Sequence, residues 1–192
     1  IIIYFQPHLI EVRLFFYLMK KYFFILISFL FLCPSCMSTA APGKEKVITA
    51  YMQSGNMKYY IRPSKMEPNE KTNSPNYVVA DFTYQMKRRE YVSDAYFNFT
   101  LHAKVDAFIV KAYFILNSNE TVELFELNTL DRNLSEGYVR VSTVIKNEKV
   151  QNVLQGLHNG TAILRTILDN NTEMEFVASK DLINRIEEAF YR

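Results

Sequence analysis

Between Asp94 and Leu101 the chain alternates strictly, with Ala95, Phe97, Phe99 and Leu101 on one face and Asp94, Tyr96, Asn98 and Thr100 on the other. Successive side chains of a strand point to opposite sides, so a period of two marks a half-buried strand and excludes a helix. A sheet with one dry and one wet face is therefore written into the middle of the chain. The segments around it repeat the theme. Met57 to Ile61 reads as a first strand and Asn76 to Tyr84, rich in β-branched and aromatic residues, as a second. Phe108 to Leu116 is continuously apolar and reads as a central strand, turned by Asn117, Ser118 and Asn119 into a hairpin with Thr121 to Leu127. Tyr138 to Ile145 places Val139, Val141, Thr143 and Ile145 on one face, and Thr161 to Leu168 pairs with Thr172 to Val177 across Asp169-Asn170-Asn171.

Two segments change period. Val150, Val153, Leu154 and Leu157 recur at i, i+3, i+4 and i+7 after a capping Asn147, which predicts a short amphipathic helix ending near Gly156. Ser179 caps a second helix, with Asp181 in its first turn and Leu182, Ile183, Ile186, Ala189 and Phe190 on its buried side. The stretch Ile61 to Asn76 holds Pro63, Pro68 and Pro75 and predicts the longest loop. The expected fold is mainly β: an antiparallel β-sandwich or curved sheet of seven to eight strands, with one internal and one C-terminal helix.

Met19 to Ala41 has the three parts of an export signal. Met19, Lys20 and Lys21 give a positive start, Tyr22 to Leu32 an apolar run, and Cys33 to Ala41 a small-residue exit. The run is shorter than the ~18 residues of a membrane-spanning helix. Ile1 to Leu18 reads as translated upstream sequence, 19–40 as signal peptide, 41–56 as a tether and 57–192 as one β-rich domain. Cys36 after Ser35 is the candidate for lipidation, which would anchor the protein to a membrane; Ser38-Thr39-Ala40 is the alternative cleavage site, with Ala40 the last residue removed.

Both cysteines, Cys33 and Cys36, lie in the leader, so disulfides, thiol catalysis and cysteine-based zinc sites are excluded from the folded domain. The chain carries 22 basic and 20 acidic residues, and removal of the leader leaves the two signs balanced. Without a long basic run there is no electrostatic footprint for nucleic acid. Five Asn-x-Ser/Thr triplets, at Asn98, Asn119, Asn133, Asn159 and Asn170, carry no weight in a chain whose Ser35-Cys36 junction points to a bacterial source.

Candidate chemistry is sparse. His102 with Ser93, Asp94 and Asp106 can be written as a nucleophile, base and carboxylate set, but no Gly-x-Ser-x-Gly elbow accompanies it. His158 precedes the Asn159-Gly160 turn and reads as a solvated turn residue. Glu173 with Glu175 share a strand face, as paired carboxylates for glycoside hydrolysis or calcium require; Glu123 and Glu126 do not. No metal-binding, phosphate-binding or nucleotide motif occurs, and no cofactor or catalytic residue is assigned. Lys87, Arg88 and Arg89, followed by Glu90, form the one tight basic cluster, at a hairpin tip where an anion or a negatively charged partner would meet it, or where a solvated turn discourages edge pairing. Tyr59 and Tyr60 head an aromatic series that offers faces to sugar or peptide.

The leader with its Ser35-Cys36 junction is similar to those of lipoproteins and secreted proteins of Bacteroidota. In its C-terminal order, helix Glu148 to Gly156, strand pair Thr161 to Val177 and helix Lys180 to Tyr191, the chain resembles periplasmic β-rich proteins of the invasion-associated locus B type. The expectation is an exported protein of the periplasm or outer membrane, a non-enzymatic binding or accessory module for another envelope protein or surface component. A hydrolase of unrecognised type and a structural subunit of a surface assembly are the alternatives.

Overall fold

A computed structural model describes residues 45–69, 75–104, 107–116 and 120–192. The leader assignments, Cys36 and Ala40 included, lie outside the described residues, as do Asp106 and the turn at 117–119. The described residues contain eleven strands and two helices. The strands are β1 (Val47–Tyr51), β2 (Met57–Pro68), β3 (Tyr77–Lys87), β4 (Glu90–Tyr91), β5 (Ala95–His102), β6 (Ile109–Ile115), β7 (Thr121–Glu123), β8 (Phe125–Asn133), β9 (Tyr138–Ile145), β10 (Ile163–Leu168) and β11 (Glu173–Ala178). The helices are α1 (Asn147–His158) and α2 (Lys180–Tyr191).

All pairings are antiparallel, in the order β7-β6-β10-β11-β2-β3-β5-β9-β8, with β1 and β4 added to β2 and β3. The two ends of this order are one piece of chain. Residues 121–123 pair with β6, Leu124 donates its N–H to the Ala112 carbonyl at 3.1 Å, and residues 125–133 then pair with β9. Glu126 takes a φ of +56°, and the register slips between Phe125 and Asn128, which are the marks of a bulge that bends a strand. The sheet is thus curved nearly into a barrel, and a single bent strand joins its edges. The predicted hairpin of 108–116 with 121–127 therefore holds only as far as Glu123; beyond Leu124 the chain has changed partner.

The alternating strand is as expected: Ala95, Phe97, Phe99 and Leu101 are buried and Tyr96 is exposed. Phe97 stacks on Phe82 of the neighbouring strand at 4.7 Å and meets Phe114 of β6 at 5.2 Å between ring centres. Strands β5 and β6 are far apart in the sheet order, so that contact crosses the interior and shows it filled by side chains. Val150, Val153, Leu154 and Leu157 of α1 and Leu182, Ile186 and Ala189 of α2 join the same core.

Two expectations are corrected. The tether assigned to 41–56 contains β1, whose Val47 is wholly buried and paired with Ile61. The first half of the predicted long loop is strand: β2 continues through Pro63 to Pro68. Arg62 and Pro63 together face the single residue Asp81 between the pairs Ile61–Phe82 and Ser64–Ala80, so the proline sits in a bulge, where its missing N–H removes no ladder bond. On its other edge β2 changes partner at the same place, from β1 for residues 57–61 to β11 for 66–68. The strand count exceeds seven to eight because β1, β4 and β7 are short and carry little periodicity.

The helices start by different means. Ser179 accepts from Leu182 N–H at 3.3 Å, as the sequence predicts. Asn147 is not the cap of α1 but its first residue, and its N–H is held by Asp94 at 2.8 Å, a carboxylate delivered from before β5. Gly156 lies inside α1, because a Cβ there would stand 3.0 Å from the Cβ of Ala162 and 3.3 Å from Leu116.

Candidate functional site

The Lys87–Glu90 pair closes the β3–β4 hairpin, leaving Arg88 and Arg89 as its two-residue turn with φ of +51° and +72°. Such a turn needs left-handed backbone at both positions and ordinarily takes Asn-Gly; a residue with a Cβ pays on the order of 1–2 kcal/mol there. Lys87, Arg88 and Arg89 form no salt bridge with any described residue. The tip is strained and, with Glu90 as its one acid, keeps a net positive charge.

Behind this tip lies an open groove of about 450 Å³. Its apolar lining is Met86, Tyr91 and Phe190, and its polar lining is Arg89, His158 and the carboxamides Gln151, Gln155 and Asn159 of the α1 face and C-cap. None of its lining residues is a carboxylate. Gln151 and Gln155 are exposed and make no side-chain hydrogen bond among the described residues. The His158 ring stands edge-on to Phe190 at 5.6 Å, and its Nδ1 is 3.3 Å from Asn159 Oδ1. A second hollow of about 270 Å³ continues along the helix and shares Gln155 and Asn159; its one acid, Glu120, is held by Lys149 at 2.6 Å.

Three tyrosines back the groove. Tyr59 stacks on Tyr84 at 5.2 Å, and Tyr84 meets Tyr91 at 5.4 Å. Burial pushes the Tyr91 phenol up to about 12 and the Tyr84 phenol higher still, so both stay neutral donors at any physiological pH. The Tyr84 hydroxyl is buried with no hydrogen-bond partner.

The sequence candidates are scattered by the fold. Arg89 and His158 come together in the groove. Tyr59 faces inward, 8% exposed, as part of the core rather than of a surface platform. Tyr60 faces outward beside Asp81, Arg62 and Arg140, and its phenol is raised chiefly by burial. Ser93 and Asp94 precede β5 while His102 ends it, so eight strand residues put roughly 25 Å between them. That separation dissolves the hydrolytic set with His102. His102 instead lies face to face with Tyr77 at 4.4 Å and near Tyr138 at 5.9 Å, and burial lowers its pKa. Glu175 is clamped by Arg165 and by Asn69 at 2.7 Å, Arg165 also reaches Glu173 at 3.5 Å, and Glu123 pairs with Lys111 at 3.3 Å. Glu123, Glu173 and Glu175 are thus each paired with a cation. Among the described residues no group of three or more His, Cys, Asp or Glu could hold a metal ion.

Gln151, Gln155, Asn159, Met86, Tyr91 and Phe190 were not legible as a site. An exposed polar stripe at i, i+4 and i+8 reads as a solvated helix face, and Phe190 reads as core although it is 42% exposed. No protein-family model, curated protein sequence or solved structure matches this chain.

Proposed function

We propose that the chain is an exported bacterial envelope protein whose folded domain is a non-catalytic binding or accessory module, and that the groove between α1, α2 and the β3–β4 tip is where it meets its partner. The leader residues Met19 to Ala41 support export, to the periplasm or outer membrane, with Cys36 or Ala40 deciding between a lipid anchor and a free protein. The observation that carries binding is the groove itself: exposed Phe190 and half-buried Met86 and Tyr91 beside the exposed carboxamides of Gln151 and Gln155 and the unpaired Arg89, with no carboxylate among the lining residues to make an acid-base pair with His158. A hydrolase of unrecognised type is less well supported, because His102 is stacked between aromatic rings far from Ser93.

A structural subunit of a surface assembly is the second reading. Tyr96 and Phe125 both pair with Val144 on the outer sheet face and are 59% and 49% exposed, which gives a second copy something to cover.

Cross-linking in intact cells, with mass spectrometry of the captured species, separates these readings. The groove variants Gln151→Ala and Gln155→Ala should lose the partner that the wild type captures, while a Tyr96→Ser variant keeps it. Loss in the Tyr96 variant alone, with self-cross-links in the wild type, would support the assembly instead. An intact mass beginning at Cys36 with acyl chains, or at Ala41 without them, tests export.

A further inference from the structure

Resting on that groove assignment, we infer that its occupant is an acidic segment of a partner protein bound in extended conformation. Gln151, Gln155 and Asn159 follow one another at four-residue steps along α1, so they advance about 6 Å per step. An extended peptide presents like-directed backbone groups every second residue, about 6.6 Å apart. Each carboxamide offers one acceptor and two donors, the complement of a peptide N–H and C=O. Met86, Tyr91 and Phe190 supply apolar surface for alternate side chains, and methionine adapts to varied shapes.

Charge selects the sequence class. Arg89 lines the groove and Lys87 and Arg88 adjoin it, all without an ion-pair partner, while the groove presents no acid of its own. Glu120 is engaged with Lys149 and Glu188 with Arg192 at 2.5 Å, while Glu90, next to Arg89, forms no salt bridge among the described residues; three cations against this one acid leave the hairpin tip with a net positive charge. An acidic chain is therefore attracted and a basic one repelled.

The test is fluorescence anisotropy on the processed protein recovered from an expressing host. The probe is a fluorescein-labelled decapeptide alternating Glu and Val, with its Lys-Val counterpart and a chitin-type oligosaccharide as comparators. The Glu-Val peptide should bind and the Lys-Val peptide should not. Affinity should fall roughly tenfold in the Gln151→Ala/Gln155→Ala double variant, from lost backbone bonds. It should fall by a similar factor, with a shallower salt dependence, in Arg88→Gln/Arg89→Gln. Circular dichroism checks that each variant is folded. No binding of the Glu-Val peptide, or equal binding of the Lys-Val peptide, overturns the inference. Oligosaccharide binding lost in the glutamine variants would overturn the peptide class and leave the groove standing. Peptide binding untouched by both double variants would remove the groove as well.

Discussion

Asp81 sits on the outer face of β3 yet is only 4% exposed, covered where Arg62 and Pro63 bulge opposite it. Burial raises its pKa, partly offset by the Asn98 amide at 2.8 Å and by Arg140 at 3.7 Å. The native state then holds this proton more tightly than the unfolded chain does, so stability falls as pH rises from the ordinary carboxylate value through the raised one. Asp81→Asn should abolish that loss, making the variant more stable than wild type at neutral pH and no more stable at pH 3; urea midpoints across this range check it. The Tyr84 hydroxyl gives a second residue-scale expectation. It is buried without a partner, so Tyr84→Phe should raise stability by about 1 kcal/mol, read as a shift of the urea midpoint at unchanged slope. Neither residue was legible beforehand: Tyr84 matches the inward period of its strand like any core aromatic, and Asp81 breaks no pattern on an outward position. Burial at each depends on which strands lie alongside.

At the scale of elements, the alternating and helical periods were readable and the irregular pieces were not. Both helices and strands β5 and β9 follow from periodicity, because one face of each is buried, and β10 and β11 from the Asp169-Asn170-Asn171 turn between them. The strand through Pro63 was missed because a proline ordinarily ends a strand, and only the bulge opposite Asp81 admits it. The cap of α1 was missed because its carboxylate comes from a distant segment. Asp94→Ala should cost about 1 kcal/mol, expressed as fraying of α1 in amide exchange at Asn147 to Val150. The Asn147 N–H, and then Lys146, holds the Asp94 carboxyl below its ordinary value, so this contribution is present above the unfolded pKa and is lost as pH falls through the folded one. In the hairpin tip, Arg88→Asn/Arg89→Gly should raise the thermal midpoint, since Asn-Gly suits the turn that two arginines occupy under strain. The same variant should bind the acidic peptide more weakly, so stability and binding would move in opposite directions. A lower midpoint would show that the arginines stabilise the tip.

Across the domain of residues 45–192, the core is continuous from one wall of the curved sheet to the other, with Phe97 against Phe82, Phe99 and Phe114. Phe97→Ala should cost about 3–5 kcal/mol, a large share of the ~5–15 kcal/mol typical of a domain, and chemical denaturation measures it. The sequence specified most of this core, Tyr59 and Phe190 excepted, but not the closure of the sheet. Closure depends on Leu124 and Glu126 redirecting a segment that reads as one ordinary strand.

The chain that joins the sheet's edges also sets an order on synthesis. Residues 121–133 cannot hold both neighbours until β9 has followed them, and residues 66–68 wait for β11 near the C-terminus. A nascent chain therefore carries open strand edges, able to pair with any other extended chain, until residues 173–178 have been made. Loss of even the final helix and strand would leave a permanently sticky remnant rather than a smaller version of the same fold.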